Sequence, residues 1–201
     1  MSTLSPFSFP QSLREQPVLI VPGLHNSDEH HWQTRWQENL PNSKRIELAE
    51  WATPDLDKWR GGIIDQLQHL DKPAVIIAHS FGALASASVA QEFPNKIAAL
   101  FLVAPADPDK FSIAHRLPQK PLSVPAQIIA SSNDPWLTET KAAFWALQWG
   151  ADYFRFKDVG HINSSSNLQD WPEGISQLQK LLREAKSRGF KNEGFGASHA
   201  A

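Results

Sequence analysis

An α/β fold, with helices on both faces of a mainly parallel sheet, is what this sequence predicts. Three observations predict it. Short apolar runs recur along the chain, and most are continuous rather than alternating, as strands buried on both faces require. Stretches with helical patterning separate these runs, the alternation that links parallel strands through crossovers. The 201 residues contain no cysteine, and a chain of this length can bury one domain's core without disulfides.

Taken in order, residues 1–16 carry four Ser and two Pro and are expected to form a flexible N-terminal segment. The folded domain is expected to span 17–186. Strands are predicted at 17–21, 45–48, 74–78, 97–103, 126–130 and 153–156, about six in all. Helices are predicted near 31–39, 56–70, 82–92, 139–149 and 174–185. The connection from Pro105 to Pro125 holds five prolines, and a loop this long at a strand end is expected to be functional or mobile. Residues 187–201, rich in Gly, Ser and Ala, are expected to be a disordered tail.

Composition excludes several classes of function. With 19 Lys+Arg against 21 Asp+Glu, nothing favours nucleic acid or an anionic membrane as partner. The lack of cysteine removes thiolate zinc sites, iron–sulfur clusters and a cysteine nucleophile. The longest apolar run, 97–106, falls far short of the roughly 18–20 residues of a membrane span. The polar N-terminus lacks a signal peptide's apolar core, so a cytoplasmic protein is expected. No dinucleotide or phosphate-loop glycine motif is present, and His25, His30 and His31 do not take metal-ligand spacing. No metal and no cofactor are expected.

The sharpest local signal is Ala74-Val-Ile-Ile-Ala-His-Ser80-Phe-Gly-Ala-Leu-Ala. A buried strand runs straight into Ser80, and a helix of small residues follows. This is the strand–nucleophile–helix corner, on which serine exposes its hydroxyl. The positions two before and two after must be small because the backbones nearly touch; here they are Ala78 and Gly82. Serine is also a favoured helix N-cap, which is the bland alternative for Ser80.

A nucleophilic serine needs a base, and the base an orienting acid. Asp134 and His161 each follow a predicted strand, at the same sheet edge as Ser80. The order Ser, Asp, His is that of α/β hydrolases. Asp134 could instead form only a turn before Pro135, and His161 could be an ordinary loop residue. Asp107 is the reserve acid, although Ala104-Pro-Ala-Asp107-Pro-Asp109 reads better as turn chemistry. The glycine turn Val21-Pro22-Gly23-Leu24-His25 should place the Leu24 N–H opposite that of Phe81, forming an oxyanion hole. His25 and Trp136 are the candidate substrate contacts. His79 precedes Ser80 and should point to the other face of the sheet, with packing as its role. Trp32, Trp36, Trp59, Trp145 and Trp149 fall in helical stretches and read as core.

These residues resemble the small serine hydrolases related to retinoblastoma-binding protein 9. The resemblance is carried by Pro22-Gly-Leu-His-Asn-Ser-Asp-Glu-His-His31-Trp32-Gln-Thr-Arg-Trp36, Trp51-Ala-Thr-Pro54-Asp-Leu-Asp57-Lys-Trp59 and Ala78-His-Ser80-Phe-Gly82. Leu102-Val-Ala-Pro-Ala-Asp107, Ala130-Ser-Ser-Asn-Asp134-Pro and Gly160-His161-Ile-Asn163 continue it, over about residues 16–185. It implies a minimal, three-layer α/β-hydrolase fold without a cap domain, and a triad at Ser80, Asp134 and His161. It departs at Ser166-Asn167-Leu168-Gln169-Asp170-Trp171-Pro172, where the family tends to have Ser-Gly-x-Gly before Trp-Pro. Losing both glycines removes easy access to positive φ, so a different loop path is expected there.

The expected activity is hydrolysis of a small acyl substrate, most simply a carboxylic ester, through an acyl-serine intermediate. Thioesters and amides use the same machinery. The contrasting expectation is a protein-binding module built on a hydrolase fold, with weak or vestigial activity.

Overall fold

The computed structural model describes residues 9–187. Its elements run α1 (Gln11–Arg14), β1 (Val18–Val21), α2 (Trp32–Asn39), β2 (Ser43–Arg45), α3 (Leu56–Gln68) and β3 (Ala74–His79). They continue α4 (Phe81–Glu92), β4 (Ile97–Val103), β5 (Ala126–Ser131), α5 (Glu139–Trp149), β6 (Asp152–Phe156) and α6 (Pro172–Ser187). The six strands form one sheet in the order β2-β1-β3-β4-β5-β6, every neighbouring pair parallel.

Strand periodicity divides the core into two layers. Leu19, Val21, Ile76, Ala78, Leu100, Leu102 and Ile128 face α3, α4 and α5 in one cluster with Trp59, Leu84 and Trp149. Val18, Ile20, Val75, Ile77, Phe101, Val103 and Ile129 face α2 and α6 in the other, with Trp32, Trp36, Leu178 and Leu181. Every residue of β3, β4 and β5 is buried, which explains why their residues are apolar on both faces apart from His79, Gln127 and Ser131. Each large aliphatic side chain so buried contributes roughly 1.5–3 kcal/mol. The three-layer α/β expectation is met.

The chain order reverses direction in the sheet between β1 and β3, the neighbours to which β2 and β4 are added on opposite sides. In open parallel sheets this crevice, at the carboxyl ends of the strands, is where ligands bind. Residues 104–125 contribute only the short 3-10 turns Pro108–Phe111 and Ala114–Arg116, so no cap domain rises over that edge.

Three expectations are corrected. The second strand is Ser43–Arg45 rather than 45–48. β2 lies on the sheet edge and is half-exposed, so it needs no apolar pattern. Ile46 makes the last rung to Ile20 before the chain leaves the ladder and Ile46 packs into the core. The N-terminal segment was expected to be loose through residue 16, yet Phe9 and Leu13 are buried beneath α2. Phe9 meets Trp36 edge to face, and Asn42 Nδ2 donates to the carbonyls of Leu13 and Gln16. The tail was expected from 187; Ser187 closes α6, and the remainder lies outside the described residues, as do residues 1–8.

Candidate active site

Ser80 occupies a corner of the chain. Its N–H makes the last rung of β3 with the Val103 carbonyl at 3.0 Å, while its own carbonyl accepts the first helical bond from Ala83 at 3.0 Å. One residue therefore belongs to both strand and helix, and it adopts φ 54°, ψ −122°, a conformation L-residues enter only when the surroundings compel it. The surroundings are tight. A Cβ on Gly23 would lie 2.7 Å from Ser80 Cβ, and one on Gly82 would overlap the Pro22 carbonyl and sit 2.5 Å from that of Val21. Glycine at both positions is what lets the β1 loop meet the corner.

Ser80 does not cap its helix with its side chain. Its hydroxyl donates to Nε2 of His161 at 2.8 Å. His161 Nδ1–H in turn faces both carboxylate oxygens of Asp134 at 2.9 Å, and the two side chains are only 8% and 3% exposed. Asp134 serves the turn as well as the histidine, because its Oδ1 also accepts the Trp136 N–H at 2.8 Å. Asp107 is otherwise employed: it caps the 3-10 turn through the Asp109 N–H and pairs with Lys141 at 2.7 Å.

The N–H groups of Leu24 and Phe81 have no acceptor among the described residues. Phe81 opens α4, so its N–H also carries the positive end of the helix dipole. His25 shares the Leu24 loop, exposed and at φ 64°, with its N–H on the Trp51 carbonyl. Its ring makes no hydrogen bond to Ser80, Asp134 or His161. Trp136 is 48% exposed and its ring lies 6.1 Å from that of His161, with the Lys110 ammonium 5.1 Å from its centre. Among the described residues no group of three or more acidic or histidine side chains is disposed to hold a metal ion.

Several residues that shape the site escaped the sequence reading. Ser131, Ser132 and Asn133, just ahead of Asp134, accept the N–H groups of Val159, Asp158 and Gly160 at 3.1, 2.9 and 2.7 Å. The acid's loop thus stitches down the histidine's loop. The buried tryptophans are core, as expected, but their indole N–H groups also tie loops: Trp59 to Pro22, Trp32 to Ile162, Trp36 to Asp170 and Trp149 to Pro118. A buried indole seeks an acceptor, and these four find one in a loop carbonyl.

Behind the site His31, His79 and His161 form a column, with ring centres 4.8 and 4.9 Å apart. Burial pushes His79 well below the usual histidine range, and the neighbouring His31 and His161 add to it. Burial also pushes His31 down to about 4, against the pull of Asp28. Asp28 itself is lowered, first by the Ser164 hydroxyl that bonds it.

The loop after His161 keeps left-handed backbone at Asn167, Gln169 and Trp171, with φ of 49°, 55° and 46°. Asn167 and Gln169 stand where the family resemblance leads one to expect glycine. The expectation that losing those glycines would forfeit positive φ is therefore corrected: the chain keeps it at both positions without glycine, with the adjacent Asp170 tied to Arg35 and Trp36.

The sheet order and the Ser80 corner are those of α/β hydrolases, the class to which the structural neighbours belong. The serine hydrolase family profile matches residues 18–180, and the chain belongs to that family. A YdeN-like hydrolase from Pectobacterium atrosepticum is 38% identical, with 87% of this chain and 95% of that one covered and a TM-score of 0.83. The ydeN gene product of B. subtilis shares the fold at 17% identity, covering 84% and 99% with a TM-score of 0.70. Est1E from Butyrivibrio proteoclasticus, solved with ferulic acid bound, shares it at 13% identity, 90% and 92% coverage and a TM-score of 0.63. No curated protein matches the chain in sequence. These comparisons establish the serine hydrolase family with a YdeN-like relative, a broader kinship than the expected one with proteins related to retinoblastoma-binding protein 9. Among the described residues no helix is long and apolar enough to cross a membrane.

Proposed function

We propose that the protein hydrolyses small acyl substrates, carboxylic esters foremost, through an acyl-serine intermediate on Ser80, and that it does so in the cytoplasm. One observation carries the reading: Ser80 Oγ, His161 and Asp134 are hydrogen-bonded in series at 2.8 and 2.9 Å, at the carboxyl edge of the sheet. In this mechanism His161 Nε2 takes the Ser80 proton as Oγ attacks the carbonyl carbon. Asp134 holds the imidazole with Nδ1 protonated and stabilises the imidazolium that forms. The N–H groups of Leu24 and Phe81 receive the oxyanion. His161 then gives its proton to the leaving alcohol, activates water, and returns Ser80 to its free form. The mechanism calls for no cofactor.

The open edge, bare of a cap, suits short acyl groups, and Trp136 supplies an apolar wall beside His161 for the leaving group or acyl chain. The narrower kinship with proteins related to retinoblastoma-binding protein 9 is part of the same proposal. Labelling with a fluorophosphonate probe tests it. Wild type should label, while Ser80→Ala and His161→Ala should not; a panel of ester, thioester and peptide substrates then ranks the leaving groups. A folded wild type that resists the probe overturns the reading.

One observation favours a second reading, a protein-binding role on the hydrolase fold. Phe144 and Leu147 project from α5 with 55% and 81% exposure, and exposed apolar clusters mark contact surfaces. Partner binding retained in Ser80→Ala and lost in Leu147→Asp would support it.

A further inference from the structure

His161 lies outside helix and strand, and Ile162 beside it has φ 49°. A β-branched residue enters that region only where neighbours over-determine it. Two donors do so. The His79 Nε2–H donates to the main-chain carbonyl of His161 at 2.9 Å, and the Trp32 indole N–H donates to the carbonyl of Ile162 at 2.8 Å. Both side chains are buried, at 5% and 1% exposure. They come from the end of β3 and the start of α2, so the clamp joins three distant segments. His31 packs against both rings, with centres 4.8 Å from His79 and 5.4 Å from Trp32.

We infer that His79 is a positioning residue for the reaction: with Trp32 it fixes the main chain at 161–162 so that His161 Nε2 meets Ser80 Oγ. The inference rests on His161 being the general base of the proposed mechanism. His79 packs against His31 and Trp32, and its Nε2–H bonds a main-chain carbonyl, so it takes no part in proton transfer. Carbonyl acceptance places its proton on Nε2. Its neutral ring suits the position, since a charged donor there would repel the imidazolium of His161 4.9 Å away. The consequence for rate is large because a misplacement of about 1 Å can cost on the order of 10²-fold.

Glutamine carries its amide nitrogen where histidine carries Nε2; asparagine falls one bond short. With p-nitrophenyl butyrate as probe, His79→Asn and His79→Leu should lower kcat about 10–100-fold with KM within about twofold, and His79→Gln should recover most of it. Trp32→Phe, keeping the ring and losing the donor, should lower kcat about 3–10-fold. All are read well below each variant's melting temperature. The proton resonance of His161 Nδ1–H gives a readout independent of turnover: it should persist in wild type and His79→Gln and vanish in His79→Asn. Wild-type kcat and an intact resonance in folded His79→Asn overturn the inference, as does equal loss in the Gln and Asn variants. If neither the Leu nor the Asn variant folds, Trp32→Phe decides, and unchanged kcat there overturns it. A wild type that fails to react with fluorophosphonate is a different failure, that of the serine mechanism, and leaves the resonance to decide the clamp.

Discussion

The two halves of the site are built differently. The Ser80 corner is held by what is missing, side-chain atoms at Gly23 and Gly82, and by an apolar strand and helix on either side. The His161 loop is held by what is added: His79 and Trp32 donate to its carbonyls, and Ser131, Ser132 and Asn133 accept its N–H groups, over successive residues between 158 and 162. Strain at the corner falls on one residue. In the histidine loop it is spread over Asp158, Ile162, Asn167, Gln169 and Trp171, all at positive φ without being glycine. A corner of the first kind can be read from a dozen consecutive letters. A loop of the second kind depends on partners up to 136 residues away.

The largest expected effect joins the halves. Asp134→Asn should leave Ser80 and the fold in place yet lower kcat by about 10⁴, because the amide favours the wrong imidazole tautomer. Ester turnover and circular dichroism together check this; a loss below tenfold would mean that Asp134 matters to the loop alone. At the corner, Gly82→Ala should cost roughly 4 kcal/mol or prevent folding, since the added carbon meets two carbonyl oxygens of rigid backbone. Urea unfolding measures it, and a tolerated alanine would mean that the contact between β1 loop and corner can open.

Acid should strike the histidine half first. His31, at about 4 in the fold, returns to roughly 6.5 when unfolded, so the unfolded chain binds more protons between those values. Its contribution is thus complete above pH 6.5 and lost as pH falls toward 4, by about 3 kcal/mol over the full window. His79 adds a loss of the same sign. The groups facing His31 are Asp28, Arg45, His79 and His161. In His31→Asn, which keeps an acceptor for the Gln33 N–H that His31 now caps, the fall in urea midpoint between pH 6.5 and 4.5 should be smaller. An unchanged fall would place the acid sensitivity elsewhere. Last and smallest, Gln169→Gly should stabilise by up to about 1 kcal/mol by relieving left-handed strain, less the entropy glycine loses on folding. Thermal unfolding reads the sign, and a destabilised variant would show that the Gln169 side chain is part of what holds the loop.

Much of this was legible in the letters. β4 and α5 fall where apolar patterning and helical spacing put them, and Ser80, Asp134 and His161 come together as their order predicted. β2 was misplaced because an edge strand can be polar, so Ile46 and Leu48 drew the prediction past it. Phe9 and Leu13 give no signal in the letters, because a single helical turn among Ser and Pro has too little periodicity to register. For Trp32 and His79 the sequence indicates packing alone, since a hydrogen bond to a distant carbonyl has no counterpart in local sequence.

By itself the sequence determined the layers, the serine corner and the three side chains that meet there, because strand and helix patterns and the tight strand-to-helix turn are local demands on residue type. Only the tertiary structure decided how the His161 loop is held and that the Leu24 and Phe81 N–H groups are left without an acceptor among the described residues. Those depend on carbonyls and amides, which every residue carries alike, so their pairing is settled by where the chain brings them.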